Sequence, residues 1–126
     1  MNPPYNKNWN QEHGKMGEAM ARRFLEKKGF KILISRYRTR VGEIDLIALK
    51  KTTLYFVEVK TRSDKDFGDP LEAITPLKIA RLERAAIIFL EENPDYRSNF
   101  HIELLAIAVR CYGEESEIEC VNLFPG

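Results

Sequence analysis

Hydrophobic residues recur along the chain with two periods, one typical of helices and one typical of strands. Between Glu12 and Lys28 the apolar residues fall on one half of a helical wheel, whereas charged residues such as Arg22 fall outside it. Gly29 follows at the position where helix ends favour glycine, and the apolar Phe30 comes next. The pattern therefore predicts an amphipathic helix that ends just before Gly29.

Three strand-like segments follow this helix and are separated by short polar links. They cover residues 30–38, 43–49 and 54–61. Because links this short join antiparallel neighbours, the three segments are predicted to form a meander. The next stretch, from Asp64 to Thr75, contains glycine and proline and is predicted to be a loop.

A second helix is predicted from Pro76 to about Glu92, with Thr75 as its N-cap. It is apolar nearly all round, so we expect it to be buried against one face of the sheet. Residues 100–110 form a strand that is apolar on both faces, as expected of a central strand, and residues 117–123 form a weaker last strand. The predicted order is αβββαββ, an α/β fold with a mixed β-sheet flanked by helices.

The length of 126 residues gives room for one domain with one core. Residues 1–11 are predicted to be a flexible lead-in to a single domain over 12–126. No apolar run is long enough to span a bilayer, and the N-terminus lacks the apolar stretch of a signal peptide, so we expect a cytoplasmic protein. Cys111 and Cys120 form no C-x-x-C motif, which excludes a cysteine-only zinc site and favours reduced thiols.

The formal net charge of +1 excludes a histone-like polycation but hides an asymmetry between the two halves of the chain. Residues 1–65 carry 15 basic and 7 acidic side chains, a net charge of +8. Residues 66–126 carry 5 basic and 12 acidic side chains, a net charge of −7. This distribution makes nucleic acid the first partner to consider.

Acidic residues interrupt two neighbouring strands that are otherwise apolar. If the hairpin between these strands closes with Lys51 and Thr52 at its centre, Asp45 faces Glu58. Lys60 then lies on the same face as Glu58, because side chains alternate along a strand. Lys-Thr is not a favoured two-residue turn, and a slip of one residue would separate the two carboxylates.

Two carboxylates about 5 Å apart repel each other by roughly 3 kcal/mol at an effective dielectric constant near 20. Lys60 offsets one charge, and a cation is the natural way to remove the other. Carboxylate oxygens favour Mg²⁺ or Mn²⁺ over zinc. The alternative is a solvated strand face that happens to carry Glu58 and Lys60. Ile47 and Phe56, which share that face, count against this alternative.

The segments from Gly42 to Ala48 and from Phe56 to Arg62 resemble the PD-(D/E)xK nuclease superfamily. The chain as a whole resembles the uncharacterised bacterial YraN family, which is similar to archaeal Holliday junction resolvases. The similarity covers residues from about 14 to 109. It implies a restriction-endonuclease-like core and an activity on DNA.

By this resemblance, Asp45 and Glu58 bind a divalent metal ion and Lys60 orients or activates the attacking water. The backbone carbonyl of Val59 is implied as a further metal ligand. Glu18, on the first helix, matches a glutamate that often completes the site. Mg²⁺ or Mn²⁺ at this position would stabilise the charge that develops on the phosphate and lower the pKa of bound water.

Basic residues on three elements are candidate contacts to nucleic-acid phosphates. Three arginines recur at every second position of the first strand and would form one basic face, with a solvated strand edge as the alternative. A fourth arginine lies two residues after Lys60. Two further cations lie in the first turns of the second helix, where they either contact a phosphate or extend into solvent. The candidates are Arg36, Arg38, Arg40, Arg62, Lys78 and Arg81.

The leading hypothesis is a metal-dependent endonuclease that hydrolyses phosphodiester bonds in DNA. The resemblance extends this to branched, Holliday-junction-like DNA, and a two-fold symmetric junction would favour a homodimer. The alternative is a nucleic-acid-binding or scaffold protein that keeps the nuclease-like fold without turnover. A protein-interaction domain is a third hypothesis, and no membrane partner is expected.

Overall fold

The sheet has five strands in the order β1-β2-β3-β4-β5, with one long helix packed on each face. The computed structural model describes residues 7–63, 72, 74–112 and 115–123. The predicted α/β fold with a mixed sheet is confirmed, and it is consistent with a restriction-endonuclease-like core. The elements are α1 (Lys7–Lys27), β1 (Lys31–Thr39), β2 (Gly42–Lys50), β3 (Thr53–Ser63), α2 (Pro76–Glu92), α3 (Pro94–Asn99), β4 (His101–Tyr112) and β5 (Glu115–Asn122).

Helix α1 packs on one face of the sheet through its small and branched apolar residues. Ala21 and Leu25 are fully buried against Leu46, Val57 and Ile107. The helix ends as predicted, because Gly29 takes a φ of 92° and the Phe30 N–H donates to the Leu25 carbonyl at 3.0 Å. It begins at Lys7 rather than Glu12. The first six residues of the predicted lead-in lie outside the described residues.

Helix α2 covers the opposite face of the sheet. Its start is confirmed, since the Thr75 hydroxyl accepts the Lys78 N–H at 3.3 Å. Its burial against one face of the sheet is also confirmed, but its apolar surface is not covered all round: Leu77 is 61% exposed and Ile87 is 49% exposed, so one side of α2 faces solvent. No helix among the described residues is long and apolar enough to cross a membrane.

A short helix, α3, separates α2 from β4 and is not predicted by the hydrophobic pattern. The pattern correctly breaks at Pro94, but a proline is also a favoured first residue of a new helix. The Asn99 side chain donates to the Asp95 carbonyl at 2.9 Å and closes this helix. The loop predicted from Asp64 to Thr75, which precedes α2, falls mostly outside the described residues.

Strand β4 pairs with β3 in parallel over its whole length, from His101 opposite Thr53 to Cys111 opposite Ser63. The other neighbouring strands are antiparallel. Residues 104–109 of β4 are buried, which confirms that it is a central strand. The connection through α2 therefore allows β3 and β4 to run side by side in the same direction.

The predicted register between β2 and β3 is confirmed along the apolar part of the hairpin. The pairs run from Lys50 opposite Thr53 to Leu46 opposite Val57. Asp45 lies one residue beyond the last pair, so the expectation that it directly opposes Glu58 in the ladder is wrong. Beyond the last pair, the Asp45 carboxylate instead accepts the Val59 N–H, and the site is built at this end of the ladder.

Strand β1 is irregular at the position beside Asp45. Its pairs with β2 skip Arg36, which has a left-handed φ of 55°. Ile34 and Tyr37 therefore both pack towards the α2 side although they are three residues apart. A regular strand would place them on opposite faces. In the β1–β2 hairpin, the face of the sheet to which side chains point thus changes at the level of Asp45.

Candidate metal and nucleic-acid site

The Asp45 carboxylate bonds to the β3 backbone where the ladder between β2 and β3 ends. One of its oxygens, Oδ2, accepts the Val59 N–H at 2.7 Å. Burial raises the pKa of Asp45 from 3.8 to about 7, and the negative charges of Glu58 and Glu18 add to this effect. The Val59 N–H and the Lys60 charge oppose it. The carboxylate is therefore held in place but is short of positive charge.

Glu58 and Lys60 lie on the same face of β3, two residues apart, as predicted. The Lys60 ammonium is 3.5 Å from the Glu58 carboxylate, and both side chains are largely buried. Burial raises the pKa of Glu58, while the charges of Lys60 and Lys78 lower it. Lys60 is thus the counter-ion of one carboxylate and the neighbour of the other.

A cleft of about 210 Å³ lies beside these residues, between the start of β2 and the first turns of α2. Lys78 brings its amine next to that of Lys60, and this neighbour is the main reason why the pKa of Lys78 is lowered. Arg62 adds a further positive charge nearby. The cleft is lined by Gly42, Glu43, Glu58, Lys78, Arg81 and Leu82.

Glu18 reaches the site because α1 approaches β3 very closely one residue earlier. A Cβ atom on Gly17 would lie 1.8 Å from the Thr61 Oγ1, so any other residue there would force the helix or the Thr61 side chain to move. The Glu18 carboxylate accepts a hydrogen bond from the Arg36 Nε at 3.0 Å. Its charge still contributes to the raised pKa of Asp45.

The arginines of β1 do not form the single basic face that strict alternation predicts. Arg36 turns to Glu18 on α1, whereas the Arg38 Nε contacts the Glu43 carboxylate at 3.2 Å and its side chain is 81% exposed. Arg40 is exposed at the tip of the β1–β2 hairpin. The left-handed φ at Arg36 explains the difference, because it interrupts the alternation between Arg36 and Arg38.

The structure therefore brings together Asp45, Glu58, Val59 and Lys60, with Glu18 close by. Over residues 7–63, 72, 74–112 and 115–123, no three His, Cys, Asp or Glu side chains are arranged to hold a metal ion. The Glu18 carboxylate is held by Arg36 instead. The two carboxylates share the positive charge of Lys60, and carboxylate oxygens are the donors that a hard cation prefers. Asp45 and Glu58 are therefore the residues that could hold Mg²⁺ or Mn²⁺.

Two features of the site were missed by reasoning from the sequence. Glu43 lines the cleft and raises the pKa of Glu58, although the sequence analysis treats it only as a strand residue. Gly17 sets the distance between α1 and β3. A glycine in the middle of a helical pattern, directly before a candidate ligand, was the available signal for that contact.

Comparisons with known proteins place these residues inside one region of similarity. The model of the family described as Uncharacterised protein family UPF0102 matches residues 17–112. A UPF0102 protein from Syntrophomonas wolfei is 44% identical over 100 residues, which cover 79% of this chain and 87% of that protein. A UPF0102 protein from Desulfosudis oleivorans is 38% identical over 115 residues, which cover 91% of this chain and 90% of that protein.

Proposed function

The chain belongs to the uncharacterised protein family UPF0102, which is the YraN family that its sequence resembles, and we propose that it is a metal-dependent endonuclease that hydrolyses DNA phosphodiester bonds. One observation carries the proposal: a buried pair of carboxylates, Asp45 and Glu58, meets two amines, Lys60 and Lys78, at the edge of a cleft. The carboxylates suit a divalent cation, and the amines suit a phosphate.

Asp45 and Glu58 are the residues that would hold the metal ion, with the Val59 carbonyl as a further oxygen ligand. The Val59 N–H donates to Asp45, which fixes one carboxylate oxygen and leaves the other for the cation. Mg²⁺ or Mn²⁺ supplies positive charge for the developing phosphate negative charge and lowers the pKa of bound water. A cation there also removes the electrostatic cost of ionising Asp45.

Lys60 is the residue proposed to orient the attacking water. Its amine is 3.5 Å from the carboxylate of Glu58, which lines the cleft. Lys78 stands beside Lys60 on a different element, so the two amines can contact one phosphate from two sides. This arrangement orients the phosphate relative to the carboxylate pair, which is the main task of a phosphodiesterase site.

DNA is proposed as the substrate because cations surround the acidic pair on several elements. Arg81 lines the cleft with Lys78, Arg62 adds charge next to it, and Arg40 is exposed at the hairpin tip. Branched, Holliday-junction-like DNA is the finer part of the proposal and rests on the resemblance to resolvases. Such a substrate has two-fold symmetry and favours a homodimer.

A catalytically silent nucleic-acid-binding protein is the second candidate. One observation favours it, namely that Arg36 rather than a metal site engages the Glu18 carboxylate. This candidate predicts salt-sensitive DNA binding without cleavage and without binding of Mn²⁺. The two candidates therefore differ in the metal, which can be measured on its own.

The experiment that tests the proposal has two parts. Purified protein is incubated with linear and four-way-junction DNA in Mg²⁺ or Mn²⁺, and Mn²⁺ binding is measured by calorimetry without DNA. We expect cleavage by the wild type, and a loss of roughly 10²- to 10⁴-fold for Lys60→Ala, as for other groups that position or activate a nucleophile. Glu58→Ala should lose both cleavage and the Mn²⁺ signal.

Lys31→Ala is the matched control, because it removes the same charge from an exposed position at the start of β1. It should cleave like the wild type. Cleavage that survives in both Glu58→Ala and Lys60→Ala would show a contaminating nuclease and contradict the proposal. DNA binding with neither cleavage nor a Mn²⁺ signal would favour the silent candidate.

A further inference from the structure

The ion pair between α1 and β1 has a mostly buried acid and an accessible base. The Glu18 side chain is 16% exposed, whereas the Arg36 side chain is 43% exposed, and the two meet at 3.0 Å. A carboxylate with so little access to water needs a cationic partner. A guanidinium with this exposure remains open to a second anion on its solvent side.

Arg36 reaches Glu18 from an unusual backbone conformation. Its φ of 55° is uncommon for a residue other than glycine, asparagine or aspartate, and it lies where the β1–β2 ladder skips the position beside Asp45. Strain of this kind persists only when surrounding contacts hold it, and it concentrates at functional sites. The ion pair to Glu18 is the contact that the structure shows for this side chain.

The pair forms the floor of a groove of about 190 Å³ between α1 and β1. Lys15, Ala19 and Arg22 line it from the helix, and Ser35 lines it from the strand. The lining carries three cations, namely Lys15, Arg22 and Arg36, against the single carboxylate of Glu18. The groove therefore has an excess of positive charge on the side of the sheet opposite the α2 cleft.

We infer that this groove binds a nucleic-acid phosphate, and that Arg36 is a positioning residue that holds Glu18 away from the metal site until that phosphate arrives. The inference rests on the proposed function. A phosphate in the groove competes with Glu18 for the guanidinium, because Arg binds phosphate with two parallel hydrogen bonds. Glu18, still mostly buried, then turns to the metal ion at Asp45 and Glu58.

This exchange leaves every charge with a partner of opposite sign. Before it, Arg36 pairs with Glu18, and Asp45 lacks a cation of its own. After it, Arg36 pairs with the phosphate, and Glu18 joins Asp45 as a ligand of the divalent cation. The coupling must be reciprocal, so DNA should tighten metal binding to the same extent that metal tightens DNA binding. The full donor set then forms only when substrate is present.

The test is a calorimetric titration of Mn²⁺ into protein without DNA. Arg36→Asn removes the guanidinium and suits the left-handed backbone, since asparagine tolerates a positive φ. We expect it to raise the affinity for Mn²⁺ by roughly tenfold, a usual size for coupled sites. Glu18→Gln and the double variant Glu18→Gln/Arg36→Asn should both bind Mn²⁺ no better than the wild type, because the gain requires the Glu18 carboxylate.

Arg22→Gln is the matched control, since it removes a positive charge from the same groove but contacts Glu26 rather than Glu18. It should change the affinity for Mn²⁺ by less than about twofold, as expected of an exposed charge. Circular dichroism checks that the variants fold, and Arg36→Gly provides a second variant without strain at this φ. An equal gain for Arg22→Gln and Arg36→Asn, or a gain that persists in the double variant, would overturn the inference.

A second measurement tests the role of the phosphate. In a Lys60→Ala background, which prevents cleavage, a duplex oligonucleotide should raise the affinity for Mn²⁺ by roughly the same tenfold factor. Adding Arg36→Asn should abolish that increase. If the wild type binds no Mn²⁺ at all, the proposed metal-dependent function fails. If the wild type binds Mn²⁺ but DNA and Arg36→Asn leave its affinity unchanged, only the inference about Arg36 fails.

Discussion

The two faces of the sheet meet the candidate site in opposite ways. On the α1 face the contact is so close that a Cβ atom on Gly17 would overlap Thr61, and the carboxylate of the next residue, Glu18, is already paired with Arg36. On the α2 face a cleft of about 210 Å³ remains open, and the amine of Lys78 lies beside that of Lys60. The α1 face is closed at the Gly17 contact, with its cations in the groove around Arg36, whereas the α2 face is open at the cleft that Lys78 and Arg81 line.

On the proposed function, this difference would separate the two tasks of a metal-dependent phosphodiesterase. The open α2 face would receive a substrate phosphate, and Glu18 on the closed α1 face would join the metal ion. Asp45 lies between them, and burial together with the charges of Glu58 and Glu18 raises its pKa to about 7 against the opposing charge of Lys60. A cation bound at Asp45 would link the two faces.

The largest expected effect is on the pH dependence of the protein's stability, and it comes from the raised pKa of Asp45. Its folded pKa of about 7 lies above the ordinary value of 3.8, so the folded state holds its proton more tightly than the unfolded state. Stability should therefore fall as the pH rises from about 4 to about 7 and stay constant above that, with a total loss of up to about 4 kcal/mol. Asp45→Asn removes this loss and keeps an oxygen for the Val59 N–H. In urea titrations with EDTA, it should be more stable than the wild type at pH 8 and equal to it below pH 4.

The pH dependence of this difference is the informative part of the measurement. A packing effect of the new amide group would be the same at pH 4 and pH 8, whereas the charge effect appears only where Asp45 ionises. Added Mn²⁺ should stabilise the wild type at pH 8, by about 2.7 kcal/mol at one hundred times its Kd, and leave Asp45→Asn unchanged. An Asp45→Asn variant that is less stable than the wild type at pH 8 would contradict the account of the site.

The fold was predictable from local patterns because each element carries its own signal. Thr75 and Pro76 mark the start of α2, Gly29 marks the end of α1, and the apolar centre of β4 identifies it as an interior strand. The exposed side of α2 was not predictable in the same way. An apolar helix surface indicates burial only when enough of the chain is available to cover it, and Leu77 remains uncovered.

The candidate site was predictable in its residues but not in its geometry. Alternation and the hairpin register correctly place Glu58 with Lys60 and bring Asp45 close to them. Two local departures from regular structure then decide the details: the left-handed φ at Arg36 and the end of the ladder before Asp45. Neither departure follows from the hydrophobic pattern, because both depend on tertiary contacts with α1 and with β3.

The closed face can be tested by adding a single methyl group. Gly17→Ala should push α1 away from β3 and destabilise the protein by about 1–3 kcal/mol, the usual cost of overpacking. Thr61→Ala removes Oγ1, which is the atom that the new Cβ would meet first. The double variant should therefore recover part of the loss. Chemical denaturation of the four proteins gives the coupling energy.

Gly14 offers a matched control on the same helix, since a Cβ added there meets nothing within 4 Å. Gly14→Ala should be neutral or stabilise the protein by up to about 1 kcal/mol, because alanine has the higher helix propensity. If Gly17→Ala behaves like Gly14→Ala, the faces do not differ in packing as described. Loss of Mn²⁺ binding in Gly17→Ala would add that this contact also positions Glu18.

A smaller effect is expected at the N-terminus of α2, which forms one wall of the open face. The Thr75 hydroxyl accepts the N–H of Lys78, so Thr75→Ala should cost about 1 kcal/mol in thermal or urea unfolding. Thr75→Ser keeps the hydroxyl and serves as the control. Because Lys78 lies in the first turn, Thr75→Ala should also weaken DNA binding slightly. An equal stability for Thr75→Ala and Thr75→Ser would show that the cap does not hold this turn.

The smallest predicted effect concerns the amine of Lys78 itself. Lys78→Gln should weaken binding of DNA of any sequence by only a few-fold, and it should reduce the slope of log K against log salt by about one, because one phosphate contact is lost. Arg84→Gln removes a charge from the exposed side of the same helix, away from the residues that line the cleft, and should leave the slope unchanged. The contrast tests the open face directly, since general attraction between DNA and a basic protein would respond equally to both variants. Equal slopes for the two variants would therefore mean that DNA does not use this cleft, and that the cations beside Lys60 serve only to balance Glu58.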